Sequence, residues 1–296
     1  MTEPDELYTL RAQYWLGHYG LAIEEAKSVV RRPMSPQLKL EREEFLLRAQ
    51  LALGQYDKVI AGAAEAGSDR PAMQALGLAA QYHSAPSASA KESIVDQLKV
   101  LSGSSGTPGV QLVAAQVFLE AGLQKEALQC VHLGATMEHI SIALQVFLRI
   151  DRLDLAQQQL LKLKQKDEDS ILTQLGGIYC NLAAGASGAA DAAHTTNALF
   201  EQYGPSPLLF NLMACALMLK GSYVEAEQRL QECMQEFPDN IIPDTLINMI
   251  VCSQHQQKPT AQWLTQMKTT YPLHAFCAGV DRVQAAFDRE VGKYKI

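Results

Sequence analysis

A chain of 296 residues with 48% hydrophobic side chains has ample material for a continuous core, and a formal net charge of −7, from 25 Lys and Arg against 32 Asp and Glu, argues against a nucleic-acid surface. No basic run exceeds the Arg31-Arg32 pair, and the longest apolar run, Leu208 to Leu219, is broken by Asn211 and falls short of the about 20 residues that cross a bilayer. The opening MTEPDELY is acidic and lacks the basic-then-apolar order of a signal peptide, so the chain reads as cytosolic.

Asp5 to Val30 predicts a first helical hairpin. Leu7, Leu10 and Tyr14 recur at helical spacing, Gly17-His18-Tyr19 makes a turn, and Ala22, Ile23, Ala26, Val29 and Val30 form a second stripe that Arg31-Arg32-Pro33 stops. Glu41 to Gly67 repeats the plan, with Phe45, Leu46, Ala49 and Leu53 before the turn Gly54-Gln55-Tyr56 and Val59, Ile60 and Ala63 after it. Pro71 opens a weaker pair, Ala72 to Tyr82 and Ala90 to Leu101, joined through Pro86-Ser87-Ala88-Ser89. The Ser/Gly-rich stretch Ser102 to Gly109 predicts an exposed flexible loop. Val110 to Gly134 and Met137 to Leu163 read as two further hairpins, the second bending at Asp151-Arg152. Ile171 to Ala184 and Ala190 to Phe200 form another pair, loosened by Gly185-Ala186-Ser187-Gly188.

Pro207 to Asn240 is the clearest copy of the unit. Phe210, Met213, Ala214 and Leu217 make one stripe, Gly221-Ser222-Tyr223 the turn, Ala226, Leu230 and Cys233 the second stripe, and Pro238 the stop. This order resembles the tetratricopeptide repeat, a motif of about 34 residues. Ala214 and Ala226 fall where the paired helices cross, and their small size lets the backbones approach. Pro272 follows Pro238 at one repeat length, with Ile247, Val251, Leu264 and Met267 in matching places, although Asp244, Asn248 and Thr260 depart from the pattern. A last helix, Ala275 to Val291, polar on one side, is expected to cap the array. Period-two alternation is nowhere sustained. The fold class is therefore all-α, an α-solenoid of tetratricopeptide-like helical hairpins that forms an α-α superhelix. Residues 1–296 read as one continuous array, with N-terminal hairpins over 1–101, a loop over 102–109, further hairpins over 110–272 and a capping helix over 273–296.

A search for chemistry finds little that converges. Gly103-Ser104-Ser105-Gly106 and Gly185-Ala186-Ser187-Gly188 lack the Lys of a phosphate-binding loop and the spacing of a nucleophile elbow. Cys130, His132 and His139 lack a fourth ligand and read as loop histidines near a core thiol. Asp167-Glu168-Asp169 reads as a solvated linker. Six cysteines (130, 180, 215, 233, 252 and 277) show no CxxC pair and read as reduced thiols, most of them in apolar stripes. The expectation is no enzyme, no catalytic residue, no cofactor or metal, and no small-molecule substrate.

Stacked hairpins curve so that the first helix of each lines an inner face, a preformed surface for an extended segment of another protein. Leu7, Arg11, Tyr14 and Trp15 belong to that face in the first hairpin, Glu41, Glu44 and Arg48 in the second, and Gln116, Leu119, Gln145, Leu148 and Arg149 further on. Arg and aromatic side chains carry most interface energy, so Arg11, Tyr14, Trp15, Arg48 and Arg149 lead the candidates. The alternative for each is an ordinary helix residue; for Trp15, core and groove are balanced, whereas Trp263 reads as core.

Three long stretches add a specific likeness: DELYTLRAQYWLGHYGLAIEEA from Asp5, LRIDRLDLAQQQLLKLKQKDEDSILTQL from Leu148, and MLKGSYVEAEQRLQECMQEFPDNIIPDTLINMIVCSQHQQKP from Met218. In this order they resemble the epsilon subunits of coatomer, over nearly the whole chain. The resemblance implies a non-enzymatic subunit of the COPI coat, acting in Golgi-to-ER retrograde and intra-Golgi transport. It would wrap its repeats around the C-terminal region of the alpha subunit, contact other coatomer subunits, and sit peripherally on the cytosolic side of Golgi and COPI-vesicle membranes. Asn248 and Thr260 fit the family's own version of the motif. The alternatives are a tetratricopeptide adaptor or cochaperone that holds an extended peptide of another partner, and an adaptor for membrane fusion. The terminal Lys293-Tyr294-Lys295-Ile296 resembles the lysine signals that coatomer reads on cargo, but Tyr294 stands where those need lysine, so the chain is not expected to be cargo.

Overall fold

The computed structural model describes residues 5–67 and 69–294. Met1 to Pro4 of the acidic opening and Lys295 and Ile296 of the terminal tetrapeptide lie outside the described residues. Every regular element among the described residues is a helix, and the chain divides into two compact units, Met1–Gly188 and Ala189–Ile296, where the sequence reads as one array.

Unit 1 runs through five hairpins and one more helix. They are α1 (Tyr8–Trp15) with α2 (Tyr19–Ser28), α3 (Pro36–Ala52) with α4 (Tyr56–Ala66), α5 (Pro71–Ser84) with α6 (Ala88–Ser104), α7 (Pro108–Glu120) with α8 (Gln124–Val131), α9 (Met137–Arg149) with α10 (Leu153–Lys166), and then α11 (Ile171–Ala183). Unit 2 holds α12 (Ala189–Tyr203), α13 (Pro207–Leu219) with α14 (Tyr223–Glu236), α15 (Pro243–His255) with α16 (Ala261–Thr270), and α17 (Ala275–Val291).

The helices start and stop for local reasons. Ser35, Ser87, Thr136 and Ser206 cap α3, α6, α9 and α13, each accepting a hydrogen bond from the backbone N–H three residues on. Pro36, Pro71, Pro108, Pro207 and Pro243 occupy the first helical position, where a missing N–H costs nothing. Six hairpin turns close identically. At Gly17, Gly54, Gly122, Asp151, Gly221 and Gln257 the backbone enters the left-handed region, with φ between 56° and 82°. The next N–H then bonds the carbonyl five residues back, as Ser222 does to Leu217 and Arg152 to Phe147. Glycine adopts this conformation without strain, which is why Gly-x-Tyr marks three of these bends in the sequence.

Small residues let the helices nest as expected: Ala214 and Ala226 are both fully buried where α13 meets α14. One departure of the next repeat, Asn248, has a partner. Asn211 on α13 donates to Thr245 Oγ1 (2.8 Å) and Asn248 on α15 donates to Asn211 Oδ1 (2.8 Å), a polar ladder that fixes the register of the two helices.

The stretch Ser102 to Gly109 is not the long loop its composition suggests. α6 continues through Ser104 and α7 begins at Pro108, so only residues 105–107 link them. The hydroxyls of Ser102 and Ser104 turn back onto the carbonyls of Lys99 and Leu101, so these serines bond within the helix.

Candidate functional site

The side chains expected on the inner face of the first two hairpins converge on a carboxylate that lies far away in sequence. Tyr14 sits edge-on to Phe45 with ring centroids 5.2 Å apart, and the Arg48 guanidinium lies 4.5 Å from the centroid of each ring. Arg48 is only 5% exposed. Its terminal nitrogens donate to both oxygens of Glu138, 90 residues on, in a bidentate pair, NH1 to Oε2 at 3.2 Å and NH2 to Oε1. Trp15 Nε1 donates to the same Glu138 Oε1 at 2.9 Å. One carboxylate in the first turn of α9 thus ties down α1 and α3, and α1 also packs against α11. Unit 1 returns on itself, first helices to first helices.

Burial and pairing oppose each other at this cluster. Burial alone would weaken the charge of Arg48, but Glu138 and Tyr14 outweigh it and raise the guanidinium pKa above its ordinary value. Burial likewise pushes Glu138 up, yet Arg48, Trp15 and His139 bring its carboxyl below the usual range. Both groups are therefore ionised at neutral pH. Arg48 Nε and Ser141 Oγ, one turn beyond Glu138, are buried without hydrogen-bond partners among the described residues.

A second, more open set lies beside it. Arg11 holds Glu41 with Nε–Oε1 at 2.7 Å and NH2–Oε2 at 2.9 Å, and reaches Asp5 at 2.5 Å. Glu44 is half-buried under Gly109, where an added Cβ would come within 3.1 Å of its Oε2. Burial raises the Glu44 carboxyl pKa; Arg48 opposes the shift, and Glu41 and Glu138 add to it. A carboxyl whose folded pKa is raised binds its proton more tightly folded than unfolded, so its contribution to stability is lost as pH rises through the folded value. Glu44→Gln is accordingly expected to raise the unfolding free energy at neutral pH by less than about 1 kcal/mol, since the charge is only half-buried, and to give no gain at acid pH, as urea unfolding at the two pH values would show.

The remaining candidates take no part in these ion pairs, although Leu7 packs in one core cluster with Tyr14, Trp15 and Phe45. Leu7 and Leu119, at 0% and 7% exposure, are core residues and present no surface. Gln116 and Gln145 are half-buried on α7 and α9, and Arg149 is exposed with NH1 donating to the Leu119 carbonyl at 2.8 Å. Glu138, the hub, has only a faint mark in the sequence: an acidic residue in the first turn after the capping Thr136. His139 is not a loop histidine. It is buried at the start of α9 with Nδ1 2.6 Å from Thr136 Oγ1, while His132 turns to the Gln129 carbonyl at 2.7 Å. Among the described residues no three His, Cys, Asp or Glu side chains converge to hold a metal ion. Burial pushes the thiols of Cys180, Cys215 and Cys233 up to about 11, which suits packing rather than reactivity.

Two solved structures share the helical architecture. The tetratricopeptide repeat protein of Parabacteroides merdae superposes with a TM-score of 0.50 at 14% identity, over 90% of this chain and 91% of that one. The APC/C hetero-tetramer Cut9-Hcn1 gives 0.59 at 10% identity, over 94% of this chain and 56% of the other. At those identities the likeness is of fold alone. Sequence relatives say more. Coatomer subunit epsilon-2 of Arabidopsis thaliana is 33% identical over 97% of this chain and 96% of its own length. Coatomer subunit epsilon of Dictyostelium discoideum is 31% identical over 96% and 97%. Residues 3–295 match the family described as coatomer epsilon subunit, and with full-length relatives above 30% identity the chain belongs to that family.

Proposed function

We propose that this coatomer subunit is a non-enzymatic scaffold whose unit 1 holds a segment of the C-terminal region of the alpha subunit along its first helices. In this reading it supports COPI coat assembly in Golgi-to-ER retrograde and intra-Golgi transport, and it is peripheral on the cytosolic side of Golgi and vesicle membranes. No helix among the described residues is long and apolar enough to cross a membrane, so attachment through the rest of the coat fits. The observation that carries the reading is the Arg48–Glu138–Trp15 cluster, which draws α1, α3 and α9 together across unit 1 and so sets their faces side by side. Arg11, Tyr14, Glu44, Gln116, Gln145 and Arg149 are the further inner-face positions proposed to touch the segment.

A cochaperone clamp for an acidic tail fits less well, because it needs uncommitted cations and both Arg11 and Arg48 are held by carboxylates. Pull-down of the tagged chain from cytosol tests the proposal. Recovery of the alpha subunit with the other coatomer chains, through an interface above about 2,000 Å² as permanent complexes bury, is the expected result. Recovery of the chain alone contradicts it.

A further inference from the structure

Proline follows a hydroxyl residue at three places in the chain, Ser35-Pro36, Thr107-Pro108 and Ser206-Pro207. Such a pair suits a proline-directed protein kinase, because proline offers no N–H for the enzyme cleft to leave unpaired and holds the residue before it extended. The three places differ in what surrounds the hydroxyl. Ser206 is 0% exposed and closed to an enzyme. Thr107 and Ser35 are both exposed on extended backbone, with φ and ψ of −72° and 136° for the threonine and −61° and 156° for the serine. Residues 32–35 join the first hairpin to α3 without regular structure, and Arg31, Arg32, Pro33, Pro36 and Gln37 around the serine are exposed as well. Met34 and Leu38 pack against the first core cluster, so the segment is pinned on both sides of Ser35 while the hydroxyl stays at the surface. A kinase also needs the residues after its acceptor extended. In the first turn of α3 only Leu38 is packed, and Pro36, Gln37, Lys39 and Leu40 are exposed, so that turn opens at little cost.

Charge separates the two exposed sites. The sequence holds no Lys or Arg from Val100 to Gln124, and Glu44 Oε2 lies 3.1 Å from where a Cβ on Gly109 would stand. A phosphate on Thr107 would therefore find no neighbouring cation along the chain and would approach a carboxylate. Ser35 has Arg31 and Arg32 just before it and Lys39 one turn after it. Arg32 is held only by Glu6, at 3.4 Å, and that exposed pair contributes little that a phosphate could not replace. Ser35 Oγ already accepts from the Leu38 N–H at a long 3.3 Å. A phosphate on that oxygen would bring up to two negative charges and three strong acceptors to the N-terminal end of α3, where negative charge is favoured.

We infer that Ser35 is a phosphorylation site for a proline-directed serine/threonine kinase, and that the phosphate tightens the start of α3, the helix that carries Glu41, Glu44 and Arg48. In the transfer, Ser35 Oγ bonds to the γ-phosphorus of ATP and the bond to the β-phosphate oxygen breaks. ADP leaves, and the hydroxyl proton passes to the kinase's catalytic base. The first test is the full chain, tagged and purified from cells with phosphatases inhibited, its phosphates mapped by mass spectrometry. Phosphate on Ser35 is expected, and Pro36→Ala, which keeps the serine and a good helix former after it, is expected to lower its occupancy at least tenfold. An unmodified Ser35, phosphate on Thr107 in its place, or loss with Arg32→Gln but not with Pro36→Ala overturns the assignment. The second test treats the purified chain with ATP and a proline-directed kinase and follows hydrogen exchange over residues 35–40. Exchange there is expected to slow by about two- to fivefold, as a charge at a helix N-terminus provides. Ser35→Asn keeps a capping side chain but takes no phosphate, and the same treatment should leave its exchange unchanged. No labelling of Ser35, or labelling without slower exchange, overturns the effect on α3. Both tests read this chain alone, so their outcome is separate from whether unit 1 holds the alpha subunit.

Discussion

Arg48→Met is expected to destabilise the protein by about 3–5 kcal/mol in urea unfolding at neutral pH. The guanidinium is buried and meets the Glu138 carboxylate with two hydrogen bonds, so its removal leaves a carboxylate only 19% exposed without its cation. Trp15 Nε1 is then the one remaining donor among those that hold the carboxylate. The double variant Arg48→Met, Glu138→Leu removes both charges together and should recover most of the loss, because an apolar pair of similar volume avoids the desolvation cost. The pH dependence follows the same logic. The folded Glu138 pKa lies below its unfolded value, so its stabilising contribution is full above the unfolded value and disappears as pH falls through the folded one. Acid titration of stability should therefore be steeper in the parent than in the double variant. Equal acid profiles, or a single variant as stable as the parent, would show that the pair does not hold α1 and α3 to α9.

Gly188→Ala is expected to cost about 3 kcal/mol or more, at the upper end of overpacking effects. An added Cβ there would stand 2.2 Å from the carbonyl oxygen of Asn181 and 2.8 Å from its carbonyl carbon, so backbone and not a flexible side chain must yield. The backbone angles at Gly188, φ −95° and ψ −8°, lie outside the left-handed region that favours glycine, so the penalty comes from the contact with Asn181 and not from handedness. Gly185 provides the contrast. It has φ 75° with open space around the added Cβ, so Gly185→Ala is expected to cost about 1–2 kcal/mol from backbone strain alone. Thermal melts of the two variants side by side distinguish the causes; equal losses would remove the steric reading of Gly188.

The difference between these glycines shows what the sequence can and cannot disclose. Gly17, Gly54 and Gly221 were legible because each serves a turn, and turn chemistry is local: a left-handed residue, a Tyr two places on, then a small residue in the next stripe. The same holds for the bounds of α17, where apolar spacing, His274 and the closing Gly292 all lie within a few residues. Gln257 makes the same turn as Gly221 but carries no glycine, and nothing in Gln256-Gln257-Lys258 announces it. Gly188 is needed because a carbonyl seven residues back passes close, a fact of packing and not of neighbours. Ser102 to Gly109 misled for the converse reason: its composition is that of a linker, yet hydroxyls bonding back to the preceding turn and Pro108 at a helix start leave three residues outside helices.

The inner face divides in the same way. Helical spacing placed Arg11, Tyr14, Trp15, Glu44 and Arg48 in one neighbourhood, because residues on one face of adjacent first helices share a side whatever the register of the stack. Their partner Glu138 depends on how far unit 1 turns before α9 returns to α3, and that is the sum of many small packing angles. Leu7 and Leu119 share the periodicity of the groove candidates but lie at 0% and 7% exposure, since spacing alone does not tell the inner face of a helix from the side packed on its neighbour.

Hydrogen exchange of the full chain, alone and with the C-terminal region of the alpha subunit added, examines the proposed use of that face without any substitution. Protection concentrated in the first helices α1, α3, α7 and α9, with α2, α4, α8 and α10 unchanged, is the expected pattern. Protection confined to the second helices, or absent from unit 1 although the complex forms, would mean that the alpha subunit is held elsewhere and that the Arg48–Glu138 closure serves the fold of this chain alone.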